Sequence, residues 1–141
     1  MTGSASMDAE RAFTREARAR RRASMVRRLR REPADCGRLT VYDETGRRHV
    51  GVRAVREIPL DAIAGTVEPS RAVLFDGDFR PTGAARSRWQ RLWLAEHRGA
   101  VLPPISVVRI GDRYAVRDGH HRVSVARARG ALTIDAAVEA G

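Results

Sequence analysis

From Leu102 to Val138 the chain obeys one local rule after another, and this stretch narrows the possible architectures most. Pro103 and Pro104 lead into Ile105–Ile110, a run of mostly β-branched residues that reads as a strand. Gly111-Asp112 supplies a turn, and Tyr114–Arg117 pairs back as a second strand. Asp118-Gly119 then closes that strand and opens a helix from His120 or His121 through Arg129, which Gly130 stops at the C′ position. Thr133–Val138 returns as a last strand. The unit is a hairpin, a glycine turn, a helix and a strand.

The glycine turn is where chemistry is expected. A strand that passes through Asp-Gly directly into a helix presents unbonded N–H groups and the positive end of the helix dipole, and glycine lets an anion approach the backbone. His120, His121, Arg122 and Ser124 share the first turn and a half. A guanidinium grips phosphate oxygens bidentately and an imidazole can donate one more bond. Asp118 can hold a nucleotide's Mg²⁺ or orient a hydroxyl. The bland alternative is a helix capped by Asp118 with two exposed histidines. A metal site at His120 and His121 lacks a third nearby ligand, and adjacent histidines at a helix start project in different directions.

Upstream, the 27 basic residues of the chain are all arginine, against 17 acidic ones, for a net charge of +10. Ten of these arginines fall in residues 1–32 with only four acidic residues. From Met7 to Arg31 there is neither glycine nor proline, so a helix of roughly 35 Å is expected at about 1.5 Å per residue. Residues 1–6 are expected as a disordered tail, 7–32 as this helical arm, 33–56 as a connecting segment and 57–141 as the folded domain. The arm's apolar seam (Phe13, Ala17, Met25, Val26, Leu29) is thin. It suits a solvated helix resting on the domain, or one whose Arg20, Arg21, Arg22, Arg27, Arg28, Arg30 and Arg31 contact nucleic-acid phosphates, or a membrane surface. No apolar run approaches the roughly 18 residues of a membrane span and the N-terminus lacks a secretory apolar core, so a cytoplasmic address is expected. A lone cysteine, Cys36, excludes a disulfide framework.

Between these regions the pattern is mixed. Leu39 and Val41 on one side and Val50, Val52 and Val55 on the other flank Asp43-Glu44-Thr45-Gly46, which suggests a hairpin, with a short helix nearly as suitable. Glu57–Ile63 reads as a short strand and turn, because Pro59 keeps Ile58 out of the α region. Thr82 can cap a helix running to Gly99, with Trp89, Leu92 and Trp93 on its core face and His97 near its C-terminus.

Residues Leu102–Ile105, Asp118–Ala128 and Glu57–Ile63 together resemble the ParB/sulfiredoxin superfamily, over about residues 57–139. The resemblance implies an α+β fold, a compact domain of a small mixed sheet with packed helices, here preceded by the Arg-rich helix. It also implies that a nucleotide's phosphates sit on the helix N-terminus. Partition proteins carry Gly-Glu-Arg-Arg-x-Arg-Ala at this point and take CTP. Gly119 and Arg122 match, while His120, His121 and Ser124 replace its Glu, Arg and Arg. Sulfiredoxins read Gly-Cys-His-Arg; His121 and Arg122 match, but His120 stands at the cysteine, so thiol chemistry is not expected. Free-serine kinases use a similar Asp-Gly-x-His turn with a carboxylate in an upstream loop, roughly where Glu68 lies, and Arg71 matches equally an arginine of the partition proteins' first conserved box.

Two functions follow. One is a nucleotide-phosphate-binding module, nucleic-acid-associated or regulatory, without the helix-turn-helix domain and dimerisation tail of full partition proteins. The other is a small-molecule kinase or NTPase in which Glu68 takes a proton and Asp118 and Arg122 serve the Mg²⁺-bound phosphates. CTP, ATP and ADP stay open as ligands, as does homodimer formation. A nuclease would need clustered carboxylates, and Asp118 has only Asp76, Asp78 and Glu68 as distant companions.

Overall fold

The computed structural model describes residues 2–33, 35–44 and 53–139. Among these residues six strands form one mixed sheet: β1 (Thr40–Val41), β2 (Arg53–Pro59), β3 (Ile63–Thr66), β4 (Ile105–Ile110), β5 (Arg113–Asp118) and β6 (Thr133–Glu139), in the spatial order β1-β3-β5-β4-β6-β2. Among the described residues four helices accompany it: α1 (Thr2–Leu29), α2 (Pro69–Ala72), α3 (Arg86–His97) and α4 (His120–Ala128). The architecture is the expected α+β class. No helix among the described residues is long and apolar enough to cross a membrane.

The C-terminal third folds as its sequence reads. β4 and β5 form an antiparallel hairpin closed at Ile110 and Arg113, with Gly111 at φ +62° in the turn. α4 ends ahead of Gly130, at φ +78°, and β6 returns parallel to β4 with Ile105 beside Ala136. Ile105, Val107, Val116, Val123, Ala136 and Val138 close into the main core, joined by Ile58, Ile63, Phe75 and Phe79. Burial of these side chains, worth roughly 1.5–3 kcal/mol each, fixes the sheet under α4.

The hairpin expected around Asp43–Gly46 is corrected. β1 pairs parallel with β3 at one edge of the sheet, and β2 pairs antiparallel with β6 at the opposite edge. A strand of two residues has too few cross-strand neighbours to fix a hairpin register. Instead Glu44 reaches Arg117 on β5 (3.1 Å), which also binds Glu139 on β6 (3.0 Å). Thr45, Gly46, Val50 and Val52 lie outside the described residues. Downstream, the strand read as Glu57–Ile63 divides in two: Pro59 ends β2, a 3-10 turn spans Leu60–Ala62, and β3 begins at Ile63.

α1 begins at Thr2, ahead of the expected Met7 and inside the stretch read as a disordered tail. Its first half is part of the packed body: Ala9, Ala12, Phe13 and Ala17 are buried, and Phe13 meets Trp89 of α3 edge-on at 5.6 Å. The seam stops there, for Met25, Val26 and Leu29 are exposed. α3 is preceded by a 3-10 turn at Gly83–Ala85, and the Thr82 hydroxyl donates to the Leu74 carbonyl (3.1 Å) rather than capping the helix. Trp89 is fully buried, as expected, while Trp93 is half-buried and stacks on His97 at 4.8 Å.

Candidate functional site

β3 and β5 run parallel with Thr66 beside Val116, so their carboxyl ends open at the same edge of the sheet. The chain leaves β3 through Val67-Glu68 into α2 and leaves β5 through Gly119 into α4. Two adjacent parallel strands releasing loops side by side form the crevice in which α/β sheets place ligands.

Gly119 sits at φ +106°, ψ 25°, a conformation that side chains disfavour. A Cβ there would collide with Ile105 Cγ2. The glycine is therefore required by the fit of this corner against β4, and that side is not open for an anion. α4 receives no side-chain cap from it. The N–H groups of the first helical turn keep their demand for an acceptor.

Both histidines are buried rather than exposed. His120 Nε2 lies 2.6 Å from Thr66 Oγ1, and the same hydroxyl lies 3.0 Å from the Val116 carbonyl and accepts the Glu68 N–H at 2.9 Å. Thr66 has one hydroxyl hydrogen. When it is given to Val116, His120 carries its own hydrogen on Nε2 and donates; when it is given to His120, Nε2 accepts. Phe75 stacks on His120 at 6.5 Å and meets His121 edge-on at 5.1 Å. Burial, then the positive charges of Arg71 and His121, pushes the His120 pKa down to about 4 against an opposing effect of Asp118. Burial, then Arg88 and Arg71, lowers that of His121 to about 4. At neutral pH two uncharged rings sit in a positive field.

Arg71 and Arg88 supply that field. Arg71 follows Glu68 on α2 and Arg88 lies on α3; both are exposed, and among the described residues neither has an ion-pair partner. Nothing in the sequence distinguishes Arg88 from its neighbours in an Arg-rich helix, and Thr66 carries no local signal at all. Only the tertiary fold brings them to α4.

The other anticipated residues are placed differently. Arg122 donates to the Pro103 and Pro104 carbonyls and, at 3.3 Å, to Asp118, so its guanidinium braces the entry to β4 instead of standing free. Asp118 is exposed at the end of β5 and pairs with Arg122. Ser124 is turned into the core, where its Oγ accepts the Trp89 indole N–H at 2.9 Å. Glu68 does arrive at the site: it is the N-cap residue of α2, one hydrogen bond from Thr66, which bonds to His120. Among the described residues no group of three or more His, Cys, Asp and Glu side chains assembles into a metal cluster.

On the arm, Arg20 donates to the Pro81 carbonyl at 3.2 Å and Arg27 lies against Gly37. Arg21, Arg22, Arg28, Arg30 and Arg31 are exposed, the last two beyond the end of α1.

No protein-family profile matches the chain, and no curated protein matches it. Among solved structures, a sulfiredoxin from Arabidopsis thaliana is similar at 20% identity and a TM-score of 0.47, over 62% of this chain and 86% of that one. A likeness of this degree says nothing about chemistry, which has to come from the corner itself.

Proposed function

We propose that the chain is a phosphate-binding module of the ParB/sulfiredoxin type, which holds the phosphates of a nucleoside di- or triphosphate at the first turn of α4. The observation that carries this is a positive field, from Arg71 on both histidines and from Arg88 on His121, over two buried, uncharged rings beside a helix start without a side-chain cap. Two guanidinium groups, the first-turn N–H groups and an imidazole N–H are all donors, and α4 starts where β5, paired parallel with β3, ends. Such a donor set suits the oxygens of CTP, ATP or ADP, and Asp118 is exposed enough to reach a nucleotide's Mg²⁺ once released by Arg122. The exposed arginines of α1 bind nucleic-acid phosphates, which positions the chain without reading sequence.

Calorimetric titration of CTP, ATP and ADP, with and without Mg²⁺, tests this. An anion beside the histidines raises their pKa, so binding takes up protons and strengthens as pH falls from 7 toward 5. The heat should then depend on the ionisation enthalpy of the buffer; heat independent of buffer would remove the histidines from the site.

One observation favours a second reading, a kinase or NTPase. Thr66 accepts the backbone N–H of Glu68 and bonds to His120, which supports a role for Glu68, whose carboxylate has no partner among the described residues. Under that reading Glu68→Gln keeps nucleotide affinity and abolishes turnover; retained turnover would dismiss Glu68 as the base.

A further inference from the structure

A groove of about 820 Å³ lies between the second half of α1, the segment leading into β1, and α2. It shares Phe75 with the corner at α4, since that ring lines the groove and also touches both histidine rings, and α2, which carries Arg71, borders both. Its walls combine apolar and cationic side chains. Val41 and Val73 are among the lining residues and are 45% and 75% exposed, an unusual amount of bare aliphatic surface inside one concavity.

Arg27, Arg28 and Arg38 face the same space, and among the described residues none has an ion-pair partner. Arg27 lies over Gly37, at φ +130°, with its guanidinium in the space that a Cβ there would take. Two acidic residues also line the groove, the exposed Glu32 and Asp76, but Arg20 brings the lining arginines to four, so the cations stay in excess, and Asp76 does not offset them. Its carboxylate is buried and already accepts the N–H groups of Asp78 (2.9 Å) and Arg80 (2.8 Å) and pairs with the Arg80 guanidinium.

We propose that this groove is a second ligand site, distinct from the α4 corner, for a small organic anion with an apolar body. Three guanidinium groups around one concavity repel one another and are relieved by carboxylate, phosphate or sulfonate oxygens. The aliphatic walls ask for apolar surface on the same molecule. The volume lies within the ~300–1,000 Å³ of sites that enclose single small molecules, and a nucleic-acid duplex cannot enter it.

The fluorescent probe 8-anilinonaphthalene-1-sulfonate, an anion with an apolar aromatic body, tests the site on the full chain. It should bind saturably with one molecule per chain. The double variant Arg28→Ala/Arg38→Ala should weaken binding tenfold or more, and Val73→Asp should do the same by placing a carboxylate on the apolar wall. Arg71→Ala/Arg88→Ala, which acts on the α4 corner, should leave it unchanged. Organic phosphates and dicarboxylates carrying an apolar group should displace the probe, and inorganic phosphate at equal ionic strength should not. The proposal is overturned if the groove variants bind the probe as wild type does, if Arg71→Ala/Arg88→Ala abolishes binding, if inorganic phosphate displaces equally well, or if only an acidic peptide competes.

Discussion

The second half of α1 and the surroundings of α4's first turn are both rich in arginine, yet they deploy it differently. Around α4 two exposed arginines act on buried, uncharged rings, so a few positive charges bear on groups already withdrawn from water. Along α1 beyond Arg20 most guanidinium groups are solvated, and the apolar residues among them are exposed as well. Charge in a desolvated corner discriminates between ligands, whereas charge on an open helix mainly attracts polyanions and is screened by salt. Even at the corner, the arginine most conspicuous in sequence, Arg122, is occupied by carbonyls, and the arginines that face the histidines come from other elements.

The comparison can be broken first at the two halves of α1. Phe13→Ala should cost roughly 3–5 kcal/mol, because it takes away a buried ring that packs on Trp89, while Leu29→Ala should change stability by no more than about 0.5 kcal/mol. Urea unfolding of both variants decides it; equal, small effects would mean that the first half of α1 is not part of the core.

Gly119→Ala probes the corner at a cost of roughly 2–4 kcal/mol, from a left-handed conformation and the overlap with Ile105. A variant as stable as wild type would contradict the described corner.

The histidines give a pH signature. Each is lowered to about 4 in the fold, while the unfolded chain titrates near the ordinary 6.5, so between these values the unfolded state binds more protons. Stability is therefore fully present above about pH 6.5 and falls as pH drops toward 4, by roughly 3 kcal/mol for each histidine. Thermal unfolding of wild type and of His120→Gln/His121→Gln across this window checks the sign. The variant should show little of the pH dependence that distinguishes the wild type there.

How far the sequence reaches is clearest in particular residues. β4, its turn, β5, α4 and β6 are legible because propensity, turn glycines and hydrophobic pattern agree at every step. β1 and β2 read wrongly as hairpin partners because the valines at positions 41 and 55 suit a strand anywhere, and only the whole sheet assigns them to opposite edges. Asp118 to Arg122 are legible as a special corner. Their roles are not, since the partners that fix them are remote: Ser124 bonds Trp89 across 35 residues, and His120 bonds Thr66 across 54. Burial makes these histidines uncharged, and burial is a property of the fold.

On the open helix the expected effect is smaller. Changing Arg21, Arg22, Arg28, Arg30 and Arg31 to Gln should flatten the dependence of DNA affinity on salt by about 0.9 in log–log slope for each phosphate that the arm no longer neutralises. Filter binding over a salt series measures this, and an unchanged slope would mean that the arm does not touch nucleic acid.

The most direct test of the central claim is nucleotide titration calorimetry on wild type beside Arg71→Ala/Arg88→Ala and Arg122→Ala. We expect wild type to bind at least one of CTP, ATP and ADP, the Arg71/Arg88 variant to bind it tenfold or more weakly, and Arg122→Ala to be affected less. Absence of binding of all three nucleotides to wild type with Mg²⁺, or undiminished affinity in the Arg71/Arg88 variant, would contradict a phosphate site at the start of α4.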